Sequence, residues 1–249
     1  MTSAERFSNA PITEAVLELR VRLPQEVDVA RLATFQETLK EEYPLKRERR
    51  SWETGFQFKS EHPPEIVGQS VKPMGYLLTS ADGKQVVQAR LDAFALSRLK
   101  PYDCWGTFRD EARTLWKRYV EIASPETITK VSLRYINRIE IPLPLKDFKE
   151  YILTIPDIAP GLPQALAGFF MRLILPDPET GALAIVMQTI GPNEEGKSVL
   201  PLIFDIDVSR EASFDVDSEE AWIALEKLRE FKNRIFFESI TEKAKEIFR

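Results

Sequence analysis

A repeated order of elements constrains this chain more than any single motif. From Ala15 to Leu23 an alternating run leads into a helical pattern, then a series of strand-like runs, then an aromatic-rich helical stretch from about Trp105 to Ile122. Lys130 to Ile141 opens a second series: an alternating strand, a short helical stretch, further strand-like runs and a long helix from Glu219. The order β-α-β-β-β-α thus occurs twice, which predicts an α+β protein of pseudo-duplicated halves, residues 1–124 and 125–249. One antiparallel sheet shared by both halves, covered on one face by helices, would bury the apolar side of each element. With 43% hydrophobic residues in 249, the chain has the material for a sizeable core.

The periods are explicit. In AVLELRVRL, Leu17, Leu19, Val21 and Leu23 fall on one side and Glu18, Arg20 and Arg22 on the other, the period of two of a half-buried strand that Pro24 ends. Asp28 is placed to cap a helix whose apolar face is Leu32, Phe35 and Leu39. WETGFQFKS, GYLLTS and KQVVQARLDAFALSRL read as three strands, the last two joined by Asp82-Gly83, a strong hairpin dipeptide; PDPETG holds the corresponding turn in the second half. Phe108, Ala112, Leu115, Trp116 and Tyr119 make one face of the first long helix, with Trp116 a core residue. Asp217 to Glu220 resembles a capping box before Trp222, Leu225, Leu228, Phe231, Ile235 and Phe236. A continuous helix over 219–248 would run roughly 45 Å, longer than a sheet it should cover, so a break near Ser239 with Thr241 capping a terminal helix is expected.

Charge and cysteine usage exclude several classes. Formal net charge is −5, and the halves carry 19 Lys+Arg against 18 Asp+Glu, then 15 against 21. Neither has the basic excess of a protein devoted to a phosphate backbone. A single cysteine, Cys104, excludes an intrachain disulfide and a multi-cysteine zinc site. The opening MTSAERFSNAPITEA lacks an apolar leader core and no run approaches the roughly 20 apolar residues of a membrane span, so a cytoplasmic protein with no membrane association is expected.

Motifs that suggest chemistry lose their context on inspection. GPNEEGKS, Gly191 to Ser198, matches the P-loop pattern, but that loop works only when a helix N-terminus follows it. Here VLPLIFDIDV follows, an alternating strand, and Glu194 and Glu195 would place negative charge in the phosphate cradle, so the segment is a hairpin loop. His62, the only histidine, lies between Glu61 and two prolines and reads as a surface residue; Cys104 reads as a small buried hydrophobe. No cofactor motif and no catalytic set is found.

Two polar groups are candidates for binding. Asp205 and Asp207 share one side of FDIDVS, as Arg134, Arg138 and Glu140 share one side of SLRYINRIE. In one sheet these strands would carry cross-strand ion pairs, or a polar concave surface for a ligand; the alternative is a metal-dependent hydrolase or nuclease using Asp205 and Asp207. Lys46, Arg47, Arg49 and Arg50, with Trp52 nearby, are candidate anion or RNA contacts; a solvated strand edge is the plainer reading.

FSNAPITEA followed by VLELRV, the run from Leu99 to Trp105 with Phe108, and Phe236 to Glu242 are similar to the opening, middle and C-terminal signatures of a sporadically distributed, uncharacterised bacterial protein family of about this length. The resemblance covers the whole chain and implies scattered occurrence of the kind mobile or defence-linked genes show, including accessory proteins of CRISPR-linked systems. It implies no catalytic residues. The doubled order also resembles the saddle fold of the TATA-binding protein, in which two α+β halves share one curved sheet, though fold alone does not give function. DNA binding through such a saddle calls for a basic, phenylalanine-bearing underside, and the charge here is mixed. The expectation is a non-enzymatic binding or regulatory protein whose partner is another protein, with nucleic acid disfavoured by net charge.

Overall fold

The computed structural model describes residues 7–57, 65–164 and 166–249, the backbone alone at 52–57 and 65–70. It is an α+β fold. In chain order the elements are β1 (Ile12–Arg22), α1 (Val29–Glu37), β2 (Leu45–Gln57), β3 (Glu65–Thr79), β4 (Gln85–Arg90), β5 (Ala93–Leu99), α2 (Trp105–Ala123), β6 (Thr127–Pro142), a 3-10 turn at Phe148–Glu150, β7 (Phe170–Asp177), β8 (Ala182–Ile190), β9 (Val199–Phe214), α3 (Glu220–Ser239) and α4 (Glu242–Glu246). The nine strands form one sheet in the order β2-β3-β4-β5-β1-β6-β9-β8-β7, every pair antiparallel.

The centre of the sheet follows from the alternation in β1. Leu17 sits between Leu96 and Leu133, and Leu19 between Phe94 and Val131, all with no solvent exposure. Three helices pack on strands of this sheet. α1 packs on β3 and β4, α2 on β5, and α3 on β6 and β9. Trp116 and Tyr119 of α2 lie against Phe94, with ring centroids 5.7 and 5.6 Å away, and Phe236 of α3 stacks on Phe204 of β9 at 5.9 Å. Truncating such a buried aromatic to alanine costs about 3–5 kcal/mol.

Local expectations fare unevenly. Asp28 caps α1 by accepting from the Arg31 amide at 2.9 Å, and the Asp82-Gly83 turn joins β3 to β4 with Gly83 at φ +72°. The final helix breaks as its length required: Ile240 is extended and bridges to Ile152, and Thr241 caps α4 through the Ala244 amide. Three details differ. The run from Gln85 to Leu99 is two strands, because Arg90 clamps Asp92 with bonds of 2.7 and 2.8 Å across a turn, so four strands follow α1 instead of three. In the second half the helical stretch shrinks to one 3-10 turn, capped by Asp147. The capping box does not form: Ser218 Oγ accepts from the Glu220 amide, while Asp217 donates its own amide to Asp215. At Gly75 a side chain is barred outright, since φ is +146° and a Cβ would lie 2.1 Å from the Ala89 carbonyl oxygen.

Candidate ligand-binding cavity

The expected polar sheet face forms an ion pair. Register places Asp207 opposite Arg134 and Asp205 opposite Ile136, which sets Asp205 diagonal to the arginine. The Arg134 Nε donates to both Asp205 oxygens at 3.0 and 3.2 Å, and Nη2 to Oδ2 at 2.6 Å. The Asp205 carboxylate is 7% exposed and the Arg134 side chain 43%. Bonding to Asp205 raises the Arg134 pKa further. Burial raises the Asp207 carboxyl above its ordinary value, opposed by Lys130 and Arg134. Arg138 turns away, to Glu140 at 3.4 Å and the Pro192 carbonyl at 3.0 Å. Both Asp205 oxygens are engaged by one guanidinium, while Asp207, on the same side of β9, interacts electrostatically with Asp205, Lys130 and Arg134. Among the described residues no group of three or more His, Cys, Asp or Glu side chains could hold a metal ion.

The basic run is divided by the strand that carries it. Lys46 lies over the Tyr76 ring at 4.3 Å and bonds the Ala33 carbonyl of α1, whereas Arg49 reaches Gln88 at 2.6 Å and Arg50 pairs with Glu48. Strand alternation gives Arg47 and Arg49 one side of β2 and Lys46 the other. The Trp52 side chain and His62 lie outside the described residues. Gly191 to Ser198 is the loop between β8 and β9; Lys197 pairs with Glu194 at 2.9 Å, and a strand follows it.

A different place in the fold carries a built site. Where the segment leading into β1, the loop before α2, β6 and α3 converge, they enclose a cavity of about 210 Å³. Period two on β6 turns Tyr135 and Asn137 to the same side as buried Leu133 and Ile139, and helical spacing on α3 sets Arg229, Lys232 and Asn233 beside them. Phe7, Ile12, Trp105 and Phe237 supply apolar wall. The Tyr102 and Tyr135 hydroxyls bond at 2.9 Å, their rings edge-on at 5.5 Å. The Asn137 amide nitrogen donates to the Phe204 carbonyl at 3.0 Å.

Lys232 is the unusual member. Its Nζ lies 3.9 Å from the Tyr135 ring centroid, and it forms no ion pair among the described residues. Burial, with a smaller contribution from the Arg229 charge, pushes its pKa down to about 7. Burial likewise pushes Tyr102 up to about 12 and Tyr135 well above the usual phenol value, so both stay protonated. The Arg229 guanidinium is 3.7 Å from Glu226, a carboxylate already held by Trp105 Nε1 and Arg109, each at 2.7 Å. Cys104 is half-exposed at the cavity rim, not the buried hydrophobe expected, because its place before the first turn of α2 turns it outward; its hydrogen bond with Thr107 lowers the thiol pKa.

Lys232 does not stand out in sequence because it falls between Phe231 and Ile235 in a helix rich in charged residues. One signal was available: Arg229, Lys232 and Phe236 share a helical spacing of three and four with the buried stripe, which places cations on its margin. No family model matches this chain, and no curated protein matches its sequence.

Proposed function

We propose that this chain is a non-enzymatic binding and regulatory protein that holds a small ligand in the cavity between β6 and α3. The observation that carries the reading is a partly buried amine against an aromatic ring in a cavity, with no ion-pair partner among the described residues, an arrangement unfavourable to folding and favourable to a ligand. The chain is read as two fused α+β units with the helices on one face of the sheet. That reading is supported by the antiparallel meeting of β1 and β6 at mid-sheet, with β5 and β9, the last strand of each half, on their outer sides. Cavity residues then come from both units. The resemblance to the sporadic bacterial family adds a cytoplasmic, defence-linked setting to the proposal. A thermal-shift screen of small metabolites, with product analysis of each positive compound, is the test. A compound that raises Tm and is recovered unchanged supports the reading; one turned over, with Lys232→Met abolishing turnover, replaces it with an enzyme.

A protein partner is favoured by the far edge of the sheet. β7 is its last strand, and Phe170 (67% exposed) and Ile174 lie on the same side as Leu183 of β8. The occupant we propose is an apolar strand of another protein added to this edge. Phe170→Asp with Ile174→Asp should abolish association with a partner recovered from the native host. Self-association by light scattering, lost in the same variant, would instead make the partner a second copy of this chain.

A further inference from the structure

The cavity is chemically two-sided. One side is aromatic and aliphatic, from Phe7, Ile12, Trp105 and Phe237; the other presents donors, with Lys232 and Asn233 on α3. Arg229 adds positive charge one turn before Lys232, and Glu226 offsets it only in part because Arg109 and Trp105 already occupy that carboxylate. At about 210 Å³ the space is below the roughly 300–1,000 Å³ that drug-sized ligands occupy. Resting on the ligand-binding reading above, we propose that the cavity takes a small monocarboxylate with an apolar body, its carboxylate on the Lys232 amine and its body against the aromatic wall.

A carboxylate supplies what the site lacks. It completes an ion pair, and the Tyr135 ring already fixes the amine's position, so little side-chain order is lost on binding. A neutral isostere fills the same apolar space without pairing the charge. Since a charge-assisted hydrogen bond is worth more than a neutral one, the acid should bind about tenfold or more tightly. Binding should also take up a proton. The bound carboxylate raises the Lys232 pKa, so above about pH 7 the ligand draws in the proton that the free amine has lost. Around Lys232 stand Tyr135 from β6, Tyr102, Asp103 and Cys104 from the loop before α2, and Arg229 on its own helix. Of these the Cys104 thiol has its pKa lowered by the hydrogen bond with Thr107, so it needs its own control.

The experiment is calorimetry of phenylacetate and phenylacetamide against wild type, Lys232→Met and Cys104→Ser, at about pH 6, where the amine is protonated, for the affinities, and at about pH 8.5 in buffers of different ionisation enthalpy for the proton uptake. Expected are phenylacetate binding with proton uptake, binding of phenylacetamide weaker by about tenfold, retention of both features in Cys104→Ser, and loss of the preference and the uptake in Lys232→Met. Equal affinity for acid and amide, both weakened by Trp105→Ala, would overturn the ligand class and leave the cavity as a neutral ligand site. No binding of either compound or of benzoate would overturn both readings. Phenylacetate binding unchanged by Lys232→Met would place the carboxylate elsewhere and overturn the proposal.

Discussion

Strand β6 separates two cations with opposite fates. Arg134 projects from one side and is answered by a nearly buried carboxylate through three contacts of 3.2 Å or less. On the other side Tyr135, the next residue, supports Lys232, whose amine meets a ring face and no acid among the described residues. The first is a closed arrangement in which each charge satisfies the other. The second is open: desolvation lowers the amine's pKa, and only something from outside can complete it. A polar sheet face that looks functional in sequence is thus closed by its own ion pair, and a lysine on a helix is the candidate we propose.

The largest expected effect breaks the closed side. Arg134→Ala leaves the Asp205 carboxylate buried and unpaired and should lower stability by about 3 kcal/mol in urea unfolding, whereas Asp205→Ala leaves a half-exposed arginine and should cost only about 1 kcal/mol. Equal losses would mean that the pair is not asymmetrically buried. On the open side the sign reverses: Lys232→Met should stabilise the fold at neutral pH, since it removes a desolvated charge. In the unfolded chain this lysine holds its proton to about pH 10.4 and in the fold only to about 7. The unfolded state thus binds more protons between those values, and wild-type stability rises with pH across that window. The gain from Lys232→Met should be full at or below about pH 7 and fade towards pH 10. A pH-independent difference between the two proteins would assign the effect to packing instead. Smallest is the hairpin loop between β8 and β9. Lys197→Ala removes an exposed pair with Glu194 and should change stability by less than about 0.5 kcal/mol, and ATP with Mg²⁺ should leave Tm where it is.

Elements governed by local chemistry were legible in the chain. Alternation in β1, β6 and β9, the Asp28 and Thr241 caps, the Asp82-Gly83 hairpin and the break near Ser239 all depend on residues within a few positions of each other. The turn at Leu91 and Asp92 was hidden, because its determinant is an Arg90 side chain folding back on Asp92 and across to Glu18, in an otherwise continuous strand-like run. The pairing of Arg134 with Asp205 was partly legible: facing charge patterns showed in both strands, and the register that makes the contact diagonal did not. The cavity was illegible for a stronger reason. Its parts come from four segments between Phe7 and Phe237, and the decisive property of Lys232, its lack of a carboxylate among the described residues, is a fact about space and not about spacing.

The most direct measurement is the pKa of Lys232 itself, followed by NMR of protein carrying ¹³C at the lysine Cε positions, with Lys232→Met assigning the signal. The predicted result is a midpoint near 7 that moves upward when phenylacetate is added. A midpoint at the ordinary lysine value near 10.4, unmoved by the acid, would show the amine to be solvated or already paired and would contradict the account.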